Sequence, residues 1–391
     1  MWPTCLLNSL RSRIGCRRTP SRAVRPWTFR PGLESLDGRI VPSVLTVRTA
    51  ADGGPGSLRA AIAAASDGDT VVFDHHLSGA TITVTGGELV VAKNLTITGL
   101  GADRLAVSGN GASRVFDVSA GVSLSLSGLT VTGGRADAGG GILNAGMLSL
   151  SQVTLSGNTA VGDSATTGLG GGIFNEPGAS LSTSGGAFTN NAVVGSTGFG
   201  YGGALMNEGT AVITGSTFTG NMATGGALPG LGQGLGGAIS SQNTASLTIS
   251  SSTFTGNTAS QGASNVAAGG AIDSELGSTL TVTGSTFTGN AATASANPTD
   301  RRAFAAGGAI EYFQATLSVS NSRFVGNRAD SSGFAESGAI DAEFGPATVT
   351  GTSFTANLAT GTGAGGGRGG GAVTDVFATV SLTGCSLTGN R

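Results

Sequence analysis

The chain has 391 residues, 70 of them glycine and 11% charged, where an average soluble protein has roughly 7% glycine and about a quarter charged residues. Such low charge excludes a highly charged disordered chain, and glycine clustered without a three-residue period excludes collagen. The net charge of −2 hides a split: residues 1–43 hold eight arginines against Glu34 and Asp37, and the remainder holds eleven arginines and Lys93 against twenty carboxylates. The acidic body lacks the basic face that nucleic-acid binding requires, so no nucleic-acid partner is expected.

In chain order, residues 1–43 read as a basic targeting or processing segment outside the fold. The apolar stretch at Cys5, Leu6 and Leu7 is too short for a secretory core, and nothing reaches the roughly 20 apolar residues of a transmembrane span. Cys5, Cys16 and Cys385 are too scattered for a disulfide framework or a thiolate metal site. Cys385 stands where related segments carry serine, which suits a small structural residue. Residues 44–69 read as an N-terminal cap, with Ser57 opening a short amphipathic helix from Leu58 that covers the first rung of a solenoid.

Residues 70–391 read as stacked strands. Over 70–135 the apolar alternations at Val71 and Phe73, Leu95 and Ile97, Leu124 and Leu126, separated by polar or glycine turns, give about three irregular rungs. His75 and His76 fall here; on a strand their side chains diverge, and no third ligand accompanies them. From 139 to 391 the chain repeats regularly. A Gly-Gly-Ala-Ile element, or a close relative of it, ends at Ile142, Ile173, Leu205, Ile239, Ile272, Ile310, Ile340 and Val373. A Phe-x-x-Asn element ends at Asn158, Asn191, Asn221, Asn257, Asn290, Asn327, Asn357 and Asn390, at intervals of 33, 30, 36, 33, 37, 30 and 33. The aliphatic-to-asparagine distance holds at 16 to 18, so the length variation falls in a loop after the asparagine.

Each repeat offers three short strands, none able to bury its apolar face alone. Stacking successive copies at about 4.8 Å solves this and predicts an all-β, right-handed parallel β-helix of about eleven rungs, its hand following the crossover preference. Phe188, Phe218, Phe254, Phe287, Phe324 and Phe354 become an internal aromatic column, with Leu155 and Leu387 at its ends. The eight asparagines form a second column at a sharp turn, since asparagine tolerates left-handed backbone and its amide can bond adjacent rungs.

One constellation carries potential chemistry. Asp273, Glu311 and Asp341 follow the aliphatic by one residue, and Glu275 and Glu343 by three. With Ile272 inward, alternation points them outward, stacking five carboxylates on one outer face. Three readings compete: a solvated acidic face, a Ca2+ site built from carboxylate oxygens, and a catalytic set of Asp273, Glu311 and Asp341 with Arg323. Arg301, Arg302 and Arg328 lie in the same stretch. The related polar positions Asn144, Asn175, Glu176, Asn207, Glu208, Gln242, Asn243 and Asp375 read as solvent-facing. The glycine runs at 198–203 and 363–371 lack the lysine and the strand-to-helix setting of a phosphate loop, and no Ser-His-Asp or Cys-His set can be assembled.

The paired elements over 139–391 resemble the repeats of the polymorphic outer-membrane protein family, bacterial surface β-helices. Gly54-Pro-Gly-Ser-Leu-Arg-Ala-Ala-Ile62 with Gly68-Asp-Thr-Val-Val-Phe73 is similar to the CSLREA-type segment that opens many such proteins. Arg30-Pro-Gly-Leu-Glu-Ser-Leu-Asp-Gly-Arg-Ile-Val-Pro42 resembles the head of exported planctomycete proteins. These resemblances imply export or cell-surface display, outer-membrane associated, and the leading reading of the chain is a structural or adhesin-like rod without catalysis. On that reading the variable loops, such as 222–235 and 291–306, meet an extracellular polysaccharide or protein. The alternative is a carbohydrate-active β-helix enzyme, a lyase or glycoside hydrolase, using the acidic face. No cofactor beyond Ca2+ is expected. No long alternating strands of a membrane barrel follow the repeats, and the last rung presents an edge open to edge-to-edge self-association.

Overall fold

The computed structural model describes residues 42–162, 167–226, 232–262, 266–295, 303–362 and 369–391. These residues wind into a parallel β-helix. Three principal sheets of twelve, eleven and ten strands run along it, with two further sheets of eight and six, counted among the described residues. One turn reads Ile272–Glu275 in the ten-stranded sheet, Thr279–Thr283 in the twelve-stranded and Thr286–Thr288 in the eleven-stranded sheet. It continues through Ala291–Ala294 in the eight-stranded and Phe304–Ala306 in the six-stranded sheet, and returns at Ile310–Phe313. The count differs slightly from the eleven rungs expected: the solenoid winds about eight full turns, and its principal sheets hold ten to twelve strands because shorter turns precede them. Eight turns carry the paired motif, and the earlier turns are shorter.

The expected three strands per repeat become five. Sequence expectation placed a single loop after the asparagine, but each side of that loop is a strand, and the two extra sheets pack against each other as a fin. Their contact is a thin core of Ala267, Ala292, Ala294, Ala303, Ala305, Ala329 and Ala335. Alanine and glycine leave no β-branched alternation to read, yet they let two sheets approach closely. The main core is conventional: aliphatic pairs such as Leu280 and Val282 from the twelve-stranded sheet meet the Ile272 column and the phenylalanines.

The in-register ladders fix the columns. Phe218, Phe254 and Phe287 align, with ring centroids 4.7 Å apart and planes within 4–5°. The column continues from Phe188 at 4.4 Å to Phe354 at 5.0 Å. In the asparagine column the amide of Asn257 donates to Asn290 Oδ1 at 2.9 Å and to the Phe218 carbonyl at 3.0 Å. Its own Oδ1 accepts from the Asn221 backbone N–H and side-chain amide. The asparagines themselves do not hold the left-handed backbone. The preceding residue does: Gly256 and Gly289, with Asn190 and Ala356 in two turns. Cys385, the free thiol of the described residues, occupies a column of Ser252, Ser285 and Ser322 and donates weakly to the Val349 carbonyl.

The glycine pair before each aliphatic has a steric cause. Gly269 has φ 61°, and a Cβ on Gly270 would lie 2.1 Å from the Gly308 carbonyl oxygen and 2.5 Å from the Ala291 carbonyl carbon. Here the fin's return strand re-enters the ten-stranded sheet past the strand that left it.

At the other end, the helix Leu58–Ala64 buries Leu58, Ala61 and Ile62 in the core, with the Ser57 hydroxyl accepting from the Ala60 N–H. Lys93 donates to the carbonyls of Ala63 and Ala65, a charge-assisted cap on the helix C-terminus. A strand at Val44–Val47 precedes this helix and pairs with Thr70–Phe73. Among the described residues no helix is long and apolar enough to cross a membrane.

Removing the Asn257 amide leaves the Asn221 backbone and side-chain N–H groups without their acceptor and the Phe218 carbonyl without its donor, each buried orphan costing about 1–3 kcal/mol. Asn257→Ala is therefore expected to lower stability by about 3 kcal/mol in urea denaturation. Asn390→Ala, which ends the column among the described residues, should cost under about 1 kcal/mol.

Candidate functional site

The outward row of the ten-stranded sheet changes character along the axis. In register it runs Asp117, Leu143, Phe174, Met206, Ser240, Asp273, Glu311, Asp341 and Thr374. Two residues further along each strand, Gln242, Glu275, Phe313 and Glu343 form a second outward row. The alternation places all five expected carboxylates on this side.

They do not form a solvated face. Asp273 and Asp341 are fully buried, Glu311 is 4% exposed, and Glu275 and Glu343 are half-buried. The fin's six-stranded sheet covers them. Between the two walls lies a groove of about 360 Å³, with Glu275, Glu311 and Glu343 on one side and Leu235, Val266 and Phe304 on the other. Tyr201 continues the apolar wall, stacked against Phe199.

The carboxylates fall into two groups. Oxygens of Asp273, Glu275 and Glu311 lie within 4.8 Å of one another, as do those of Glu336, Asp341 and Glu343. Sequence reading missed Glu336. Its strand, Phe334–Glu336, places it in register with Ala306 on the fin, so an acid in an otherwise apolar column was the available signal. Asp273 Oδ2 accepts from Ser240 Oγ at 2.7 Å and Gln242 Nε2 at 2.9 Å. Asp273 Oδ1, Glu311 Oε2 and both oxygens of Asp341 have no hydrogen-bond partner.

No salt bridge among the described residues reaches Asp273, Glu275, Glu311, Asp341 or Glu343. Arg323 is exposed on the eleven-stranded sheet, in register with Thr286 and Ser353, and is not brought to the groove. Arg328 lies on the fin and pairs with Asp330; Arg301 and Arg302 lie outside the described residues. Asp375 is exposed and in register with Ala342, off the acidic rows.

Burial dominates the electrostatics. It pushes Glu275 up to about 9, assisted by the charge of Asp273, and raises Glu311 well above the usual range, assisted by Asp273 and Glu275. Asp341 rises through burial and the charges of Glu343 and Glu336. Asp273 rises through burial alone, against the hydrogen bonds it accepts. Tyr201 and Tyr312 are also raised by burial and these acids, so both stay neutral.

The earlier polar positions also need correction. Asn144, Asn175 and Asn207 are fully buried and form a second amide ladder: Asn144 donates to Asn175 at 2.7 Å, Asn175 to Asn207 at 2.8 Å, and Asn207 to Ser241 Oγ at 3.1 Å. Each stands two residues after an inward aliphatic, so it shares that inward face. Gln242 is likewise buried, whereas Glu176 and Glu208 are half-buried and Asn243 is exposed. His75 and His76 sit in a 3-10 turn rather than on a strand. His76 Nδ1 lies 2.7 Å from Asp74, which raises its pKa.

No family model matches the sequence, and no curated protein matches it. Among solved structures, the A-module of the mannuronan C-5 epimerase AlgE4 of Azotobacter vinelandii is similar over 88% of this chain and 94% of its own. The identity is 12% and the TM-score 0.24, a weak likeness on which no functional statement rests.

The raised acids make stability depend on pH. A carboxyl whose folded pKa lies above its unfolded value near 4 binds more protons when folded, so its stabilisation is complete below about pH 4 and fades as pH rises toward the folded pKa. With divalent cations chelated, the melting temperature is expected to fall between about pH 5 and 9, and less steeply in Glu275→Gln and Glu311→Gln. A flat or rising profile by circular dichroism would contradict the burial of these acids.

Proposed function

We propose that this chain is an exported, surface-displayed β-helix that binds an extended glycan along the groove and the aromatic strip continuing from it. The observation that carries the reading is the aromatic cluster of Phe313, Phe344 and Phe377. Phe344 is 47% and Phe377 85% exposed, with ring centroids 5.3 Å apart, and Phe313 lies 5.5 Å from Phe344. Phe344 and Phe377 hold left-handed backbone, φ 53° and 55°, which costs an L-residue roughly 1–2 kcal/mol. Folding gains little from an exposed phenyl on strained backbone.

The chemistry suits a sugar. Ring faces pack against the C–H faces of pyranosides, and the adjacent carboxylates accept from hydroxyls, an apolar surface with a few placed polar groups. With no basic residue among the described groove residues, the favoured ligand is a neutral glycan. Export and surface display are supported by the resemblance of the repeats and the N-terminal segments to surface β-helices. The connections between the eight- and six-stranded sheets vary in length and sequence from repeat to repeat, which suits a secondary contact surface.

A second reading, hydrolysis of the bound glycan, is favoured by one feature. Glu275, held protonated to about pH 9, has a carboxylate oxygen within 4.8 Å of one on Asp273, and a pair of carboxyl groups is what glycoside cleavage uses, although burial raises Asp273 as well. Lyase action on an acidic polysaccharide is less well supported, since Arg323 lies on another sheet.

Calorimetry with neutral cello-, xylo- and chito-oligosaccharides tests the reading. At least one series is expected to bind, and Phe344→Ala to weaken binding about tenfold with no loss of melting temperature. Chromatography of the same mixtures separates binding from hydrolysis. No binding in any series, or a Phe344→Ala variant that binds like the parent, would overturn it.

A further inference from the structure

We propose that the groove holds two divalent cations of calcium type, one ligated by Asp273, Glu275 and Glu311 and the other by Glu336, Asp341 and Glu343. The inference stands apart from glycan binding. Clustered acids alone would not carry it, because exposed acidic groups are common without any ion. What carries it is the unpartnered oxygens: Asp341, fully buried, has neither carboxylate oxygen hydrogen-bonded, and Asp273 Oδ1 and Glu311 Oε2 are also buried without partners. Each of these side chains belongs to one of the two groups whose oxygens converge within 4.8 Å. Buried polar atoms are nearly always satisfied, so four orphan acceptors converging on two points mark places where positive charge belongs.

The donor set selects the metal. Both groups supply only carboxylate oxygens, with no imidazole or thiolate, which disfavours zinc and copper and suits a hard cation. Three carboxylates around one point match the flexible, oxygen-rich coordination of Ca2+ better than the strict octahedron of Mg2+, which keeps most of its waters. The open side of the groove leaves room for water to complete the coordination. The first set spans neighbouring rungs of one sheet, Glu311 lying in register with Asp273, whereas the second joins consecutive strands, Phe334–Glu336 of the fin and Ile340–Glu343 of the main sheet. One ion therefore ties successive turns together and the other ties the fin to the main sheet.

Calcium titration of the chelator-stripped full chain by calorimetry, with parallel melting curves, tests this. Two equivalents are expected to bind with Kd of about 0.1–1 mM or tighter, raising the melting temperature, and Mg2+ is expected to compete poorly. Asp341→Asn should remove one equivalent and Glu275→Gln the other. Terbium luminescence gives a second readout that tolerates destabilised variants: Tyr201 and Tyr312 are the only tyrosines, both feel the charges of these acids, and they should sensitise emission that calcium quenches by displacement. Absence of heat and of a melting shift up to about 10 mM Ca2+, or terbium emission unchanged in Asp341→Asn and Glu275→Gln alike, would overturn the proposal.

Discussion

Parallel, in-register stacking forces each side chain to lie against its own equivalents in the turns before and after. For phenylalanine this gives near-coplanar rings at strand spacing. For asparagine it gives an amide chain in which every donor meets an acceptor, with no misfit to absorb because neighbours are identical. Both columns run through the same turns, so the helix is pinned on one side by dispersion and on the other by hydrogen bonds. The glycine pair serves the same register where one turn's backbone crosses the next, with Ser337 taking the first, left-handed position in a single turn.

The same rule makes carboxylates in a column a liability. Like charges in successive turns repel, and in this chain the fin removes the water that would screen them. Serine replaces methionine at Ser240, and acids follow at Asp273, Glu311 and Asp341, where the fin wall is apolar. Apolar residues in that row would have packed against Leu235 and Ala306 at no electrostatic cost. A protein that instead buries Asp273, Glu311, Glu336 and Asp341 there, with Glu275 and Glu343 half-buried beside them, stores a demand for protons, cations or hydroxyl-bearing ligand. The groove thus links the fold's stability to what it binds, and the strained, exposed Phe344 beside Glu343 extends the binding surface outward.

Much of this was legible in the sequence. The Phe-x-x-Asn period gave both columns, and the position of Cys385 was readable from serine at equivalent sites. Period-two alternation correctly set Asp273, Glu311 and Asp341 on the outer side of their sheet. Their burial was not readable, because the covering layer is made of alanines and glycines such as Ala267 and Ala305, whose short strands carry no hydrophobic alternation. Counting two residues on from Ile142 would have placed Asn144 inside; taking it as solvent-facing let residue polarity override period. The left-handed position was assigned to the ladder asparagine, whereas Gly289 and Ala356 show that the preceding residue holds it, freeing the asparagine's backbone N–H to bond along the column.

Carbodiimide footprinting of carboxyl groups, read by mass spectrometry on the folded chain, measures the central feature directly. Asp273, Glu311 and Asp341 should label far more slowly than Asp103 and Asp137, whose side chains are 82% and 68% exposed, and should reach the same rate only on unfolding. Labelling of the three acids in the folded chain at the rate of Asp103 would mean that no fin covers them, and the groove would not exist.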